Sequence, residues 1–188
     1  EKSNICELGA FLGIVSITLK KLGHKIIPCD IPSYYLREHT INYFKSFGIN
    51  SYAFNLRKNK LPFESNSQDL IIACEIFEHL NFNPIPIISE INRILKKDGY
   101  IYITMPNSSS FLKRLKFLFT GRHPGYDIKD LFAQMDPKQN MIVGLHWREY
   151  SLKETIKLFT PFGFKLESSK ITHDFIFNFK KLSFKTLR

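Results

Sequence analysis

Short apolar runs alternate along the chain with segments of helical periodicity. The first run, residues 5–8, is strand-like and stops at Gly9. Residues 11–22 then place Phe11, Ile14, Val15, Thr18, Leu19 and Leu22 on one helical face, with Gly23 as a stop. Further strands are expected at 25–29, 51–54, 69–74 and 100–105, and helices at 33–47 and 84–97. Pro84 and Pro86 mark the start of the later helix, Asp98-Gly99 reads as a turn, and Pro106-Asn107 halts the strand before it. A helix at 152–160 precedes two closing strands, 164–172 and 174–179. Strand and helix in alternation give an open, mostly parallel sheet of seven strands with helices on both faces, a three-layer α/β sandwich. The last two strands have no helix between them, so they are expected as an antiparallel hairpin at the sheet edge.

The length, 188 residues, suits one domain spanning 1–188. Apolar residues at 44% and charged residues at 23% exclude a disordered chain, a collagen-like repeat and a coiled coil. No apolar run approaches the ~18 residues of a membrane span. The opening Glu1-Lys2-Ser3-Asn4 is no signal peptide and lacks a Met start, so the chain is expected to begin inside a longer gene product. Cys6, Cys29 and Cys74 are odd in number and lack C-x-x-C spacing. They are expected as buried free thiols in a reducing, cytoplasmic setting. The net charge of +10 permits nucleic acid, a phosphorylated substrate or a membrane surface as partner, and selects none of them.

In such sheets ligands bind beyond the carboxyl ends of the strands. Gly9 and Gly13 sit in the first strand-to-helix turn, where glycine allows close approach of a ligand and of the helix. Phe11 occupies the place of the middle glycine of G-x-G-x-x-G, and no third glycine follows. A pyrophosphate is therefore poorly served, and a nicotinamide-dependent oxidoreductase is disfavoured. There is no G-x-x-x-x-G-K-[ST] loop either. A nucleoside without phosphates fits better, because Asp30, 21 residues after Gly9 at the end of the second strand, can accept both ribose hydroxyls.

Five segments then carry a family resemblance. Glu7-Leu8-Gly9-Ala10-Phe11-Leu12-Gly13 resembles an acidic residue followed by G-x-G-x-G. Leu61-Pro62-Phe63, leading through Asp69 to Glu75-Ile76-Phe77-Glu78-His79-Leu80, resembles an LPF…D-run-ExxEHL signature. Glu90-Ile91-Asn92-Arg93, closing on Asp98-Gly99, is similar to an E-I-x-R helix and turn, and Met105-Pro106-Asn107 to a T-P-N strand end. His146-Trp147-Arg148-Glu149-Tyr150-Ser151 resembles an H-x-R-E-Y-[ST] motif. Together they resemble a class I S-adenosylmethionine-dependent methyltransferase of the type 11/23 kind, H-x-R-E-Y subgroup, with its Rossmann-like fold. The resemblance implies S-adenosylmethionine as cofactor. Glu7 and Gly9 would line its methionine end, and Ala10 and Gly13 in the same motif would also belong to the cofactor site. Asp30 would hold the ribose, Ile31 would pack on the adenine, and Asn55 would stand near the adenine amino group. Glu75 would sit beside the cofactor. Phe11 departs from the family's glycine, and the family's helices before the first strand are absent from this chain.

Methyl transfer from a sulfonium needs alignment of the nucleophile and removal of its proton. His79 and His146 are the candidate bases, against a structural role at a helix start for His79 and a lid-anchoring role for His146. Glu75, Glu78, His79 and His146 also resemble the E-x-x-E-H…H set of metal-dependent small-RNA 2′-O-methyltransferases and some quinone-pathway O-methyltransferases. The same letters recur in metal-free relatives, so no metal site is expected. Residues 107–147 are expected as a substrate lid. Within it, 110–119 would form an amphipathic, cationic helix, read as a cap over the site, with a membrane-surface helix or an anionic-substrate or RNA contact as alternatives. Residues 180–188 read as a loosely ordered basic tail. The expected activity is methyl transfer to an oxygen or nitrogen of a small molecule or of a glycan or secondary-metabolite intermediate. The alternatives are a metal-dependent RNA 2′-O-methyltransferase and a non-catalytic domain of the same fold.

Overall fold

The computed structural model describes residues 2–58, 60–121, 128–133, 144–171 and 179–186. Strands β1 (Asn4–Leu8), β2 (Lys25–Asp30), β3 (Tyr52–Ala53), β4 (Gln68–Cys74), β5 (Leu95–Pro106), β6 (Phe164–Ile171) and β7 (Phe179–Thr186) form one seven-stranded sheet. Its order is β3-β2-β1-β4-β5-β7-β6. The first five strands run parallel, and β7 pairs antiparallel with both β5 and β6. Helices α1 (Ile14–Lys21), α2 (Pro32–Tyr35) and α3 (Glu38–Ser46) cover one face, and α4 (Ile85–Ile94) and α7 (Leu152–Phe159) the other. Helices α5 (Phe111–Thr120) and α6 (Ile128–Ala133) follow β5. No helix among the described residues is long and apolar enough to cross a membrane.

Successive residues of a strand point to opposite faces, so an unbroken apolar run feeds two cores. In β4, Ile71 and Ala73 join Ile87, Ile88, Ile91 and Phe159 on the α4/α7 side. Ile72, between them, joins Ile17, Tyr35 and Phe44 on the α1–α3 side. The three cysteines are free, and Cys6 Sγ lies 3.8 Å from Cys29 Sγ across β1 and β2.

Several elements depart from the sequence expectation. Helix α1 begins at Ile14, because Gly13 caps it at φ 69°, and it buries Ser16 and Ile17 while Phe11, Leu12, Ile14 and Leu22 stay exposed. The buried Glu7 carboxylate accepts a hydrogen bond from Ser16 and turns that face to the sheet. The helix expected at 33–47 breaks at Leu36-Arg37, where Arg37 is extended. Helix α4 stops at Ile94, because Leu95 turns extended and pairs with Gln68, and Asp98 at φ 62° falls within β5. The strand expected at 174–179 lies outside the described residues except for Phe179. The segment read as a basic tail is instead β7, whose backbone fills the gap between β5 and β6. Two strands with open edges need a partner for their N–H and C=O groups, and this segment is it.

Candidate functional site

A cleft of about 610 Å³ opens at the carboxyl ends of β1, β2 and β4. Its floor is the turn after β1. There Gly9 holds φ 69°, and a Cβ on it would fall 1.8 Å from Ile76 Cδ1, so any side chain here would displace Ile76 and strain the backbone. The Gly9 and Ala10 amides both donate to the Cys29 carbonyl, tying the turn to β2. A Cβ on Gly13 would meet the Phe44 ring at 2.2 Å, so this glycine lets α1 pack on α3.

Asp30 faces the turn from the end of β2. Its Oδ2 accepts from the Phe11 amide at 2.7 Å and its Oδ1 from the Ile31 amide at 2.7 Å. Burial raises its carboxyl above the ordinary aspartate value, against the pull of those two amides. Phe11 itself sits at φ 44° with its ring edge-on to Tyr34 at 5.6 Å. Phe11, which departs from the family's glycine, is thus a wall of the cleft, beside Ile31 and Tyr34.

Across the cleft, β4 ends in Glu75 at φ 53°, whose amide donates to the Thr104 carbonyl. A single 3₁₀ turn, Phe77–His79, follows. Glu78 is fully buried, and neither of its carboxylate oxygens has a hydrogen-bond partner; Glu75 Oε1 is buried without one too. Burial, then the charge of Glu75, pushes the Glu78 carboxyl up to about 9. The backbone around Glu78 is better provided for, since its carbonyl accepts from the Trp147 amide at 2.7 Å.

His79 Nδ1 lies 3.0 Å from the Leu145 carbonyl. A carbonyl only accepts, so Nδ1 carries the proton and the neutral ring keeps its lone pair on Nε2. Burial lowers the His79 pKa, the Leu145 carbonyl opposes that, and His146 lowers it further. The His146 ring meets His79 edge-on, centroids 4.8 Å apart, and its Nδ1 lies 3.2 Å from Glu149 Oε1. Glu149 also pairs with Lys113. Burial raises the Glu149 carboxyl, but hydrogen bonds from His146 and Lys113 outweigh it and hold the pKa below the usual glutamate value. One ligand atom each from Glu78, His79 and His146 lies within 4.8 Å of the others.

Gly9, Asp30, Ile31, Asn55, Glu75 and His79 therefore share one cleft. Glu7, Ala10 and Gly13 are not on its wall: Glu7 anchors Ser16, and the other two shape the turn. His146 reaches the site through His79. None of the described residues of the expected lid up to Ala133 lines the cleft. Sequence reasoning missed Arg57 and Asn81, which join across the mouth with Arg57 Nη2 2.5 Å from Asn81 Oδ1. Their signal was adjacency, Arg57 two residues past Asn55 and Asn81 two past His79. It also missed Glu149, although its motif was singled out.

The methyltransferase domain family matches residues 6–103. An uncharacterized protein of Methanocaldococcus jannaschii is 28% identical over 133 residues, covering 62% of this chain and 58% of the relative. The chain thus spans little more than half the length of that relative. Among solved structures, a SAM-dependent methyltransferase of Methanosarcina mazei superposes with a TM-score of 0.73 at 17% identity, over 100% of this chain and 93% of the other. The 1,6-didemethyltoxoflavin-N1-methyltransferase of Burkholderia thailandensis, bound to 1,6-didemethyltoxoflavin and S-adenosylhomocysteine, gives 0.71 at 15% identity, over 100% and 72%. With the glycine turn, the strand-end aspartate and the matched segment in agreement, the chain belongs to the methyltransferase domain family and has the fold of the S-adenosylmethionine-dependent enzymes.

Proposed function

We propose that this protein transfers the methyl group of S-adenosylmethionine to an oxygen or nitrogen of a small molecule or of a glycan or secondary-metabolite intermediate. The observation that carries the reading is that Asp30, at the end of β2, and His79, after β4, line one cleft; we assign them as the ribose-hydroxyl acceptor and the base. The residues suit the cofactor. Each Asp30 oxygen holds one amide and keeps a lone pair for a ribose hydroxyl. Phe11, Ile31 and Tyr34 offer apolar surface to an adenine, and Asn55 a polar group beside it. Bound S-adenosylmethionine supplies a methyl on a sulfonium, which leaves as a neutral thioether. His79 Nε2 takes the nucleophile's proton, and the lowered pKa keeps that ring neutral at pH 7. His146 and Glu149 hold the His79 ring in place.

A second reading has a divalent cation held by Glu78, His79 and His146, with Glu75 beside them. It is favoured by the buried Glu78 carboxylate without a partner and by the convergence of ligand atoms. A cation there would polarise an acceptor hydroxyl.

The test is calorimetric titration with S-adenosylmethionine and S-adenosylhomocysteine, with NADH as control. Micromolar binding of both sulfur nucleosides is expected, none of NADH, and a loss of roughly 10²- to 10⁴-fold in Asp30→Ala, as for two hydrogen bonds to a charged group. Absence of binding to folded protein would overturn the reading in favour of a non-catalytic domain.

A further inference from the structure

Helix α5 is turned inside out. All its apolar side chains are exposed, and it buries none of its ten residues. At about 100° per residue, Phe111, Leu112, Leu115, Leu118 and Phe119 fall within an arc of about 120°. They are 38 to 77% exposed, so the apolar arc faces solvent. The opposite side carries Phe117, half-exposed, and Lys113, the one residue of the helix that is not exposed, which pairs with the buried Glu149. The helix is thus fastened to the body through Lys113. Arg114 and Lys116, both exposed, border the apolar arc on either flank. On α6, Ile128 and Phe132 are exposed as well.

An apolar stripe between two cationic rims matches the boundary of an anionic bilayer, with acyl chains for the stripe and phosphates for the rims. A groove on another protein would match the stripe but would leave the flanking cations without a reason. Ten residues are too few to span a bilayer, for which about 20 are needed, so such a helix lies in the interface plane. The net charge of +10 adds long-range attraction to the same surface.

We propose that α5 docks this protein on anionic phospholipid membranes, with Leu115, Leu118 and Phe119 inserted among the acyl chains and Arg114 and Lys116 on the headgroup phosphates. The docked helix is tied through Lys113, Glu149 and His146 to the histidine pair of the cleft, so the cleft lies close to the bilayer surface.

The experiment is flotation of the full chain with phosphatidylcholine vesicles, with and without phosphatidylglycerol at about 30 mol%. Wild-type protein is expected to float with the anionic vesicles and not with the neutral ones. Leu118→Glu/Phe119→Glu and, separately, Arg114→Glu/Lys116→Glu are each expected to weaken partitioning by ~10-fold or more. Their melting temperature and S-adenosylhomocysteine affinity should match wild type, since none of the four residues touches the cleft. Equal partitioning of Leu118→Glu/Phe119→Glu and wild type would overturn the proposal, reducing the binding to general attraction of a basic chain. So would a wild-type protein that ignores anionic vesicles and elutes as a dimer that Leu118→Glu/Phe119→Glu splits, which would make a second copy the occupant of this face.

Discussion

The two walls of the cleft treat their carboxylates in opposite ways. On the β2 wall, each oxygen of Asp30 takes one backbone amide. On the β4 wall, Glu75 has one oxygen buried without a partner, and behind that wall Glu78 is buried with no partner for either oxygen. A carboxylate held by two amides has a fixed orientation, with its remaining lone pairs left for a neutral hydroxyl. A stranded one must hold a proton or a cation. Under the proposed function, one wall would recognise the cofactor and the other would carry the chemistry. The division follows from backbone: the Gly9–Gly13 turn delivers an amide to Asp30, while the 3₁₀ turn after β4 delivers none to the Glu78 carboxylate.

The largest expected effect tests the chemical wall. His79→Gln should lower kcat by about 10²- to 10⁴-fold, the usual worth of a positioned base. S-adenosylhomocysteine affinity should change little, as measured by calorimetry beside the turnover assay. A fall in affinity as large as the fall in rate would place His79 with the recognition wall and erase the contrast. Next comes Gly9→Ala, which forces a Cβ into Ile76 at a positive φ. Loss of cofactor binding by about 100-fold or more, with a lower melting temperature, is expected from overpacking and backbone strain together. The smallest effect concerns the stranded charge. The folded-state pKa of Glu78 is raised, so its contribution to stability is complete below about 4.5 and is lost as pH rises through about 9. Glu78→Gln, which cannot ionise, should therefore melt higher than wild type at pH 8, with the gap closing toward pH 4.5. If a cation occupies the site, Mn²⁺ should raise the wild-type melting temperature at pH 8 and leave Glu78→Gln unmoved.

Much of the recognition wall was legible in the sequence because its signals are local. Gly9 and Asp30, with Gly13 shaping the turn behind them, occupy fixed offsets from strand ends that the sequence alone displays. The histidine pair was legible as two candidates, but their contact was not, since 67 residues separate His79 from His146. The face of α1 was misread for a physical reason. Apolar periodicity favoured Ile14 and Leu22, whereas the buried Glu7 draws Ser16 inward and decides the rotation. The same kind of inversion is seen in α5, whose Lys113 pairs with the buried Glu149 while its apolar arc faces solvent. The H-x-R-E-Y-S motif was visible as letters only, and folding gives most of them a contact. His146 meets His79, Arg148 lies over the Tyr150 ring, Glu149 pairs with Lys113, and Ser151 caps α7 through Glu154.

The place of β7 has a consequence for how the chain is made. β5 lies near the middle of the sheet, and β6 at its edge emerges from the ribosome before the strand that joins the two. Until residues 179–186 are synthesised, the nascent domain presents an unpaired flank on β5 and an orphan β6, both templates for pairing with the wrong chain. A ribosome that stalls, or a stop codon that falls, before Phe179 would release a sheet with its middle open, a product for proteolysis rather than a shortened enzyme.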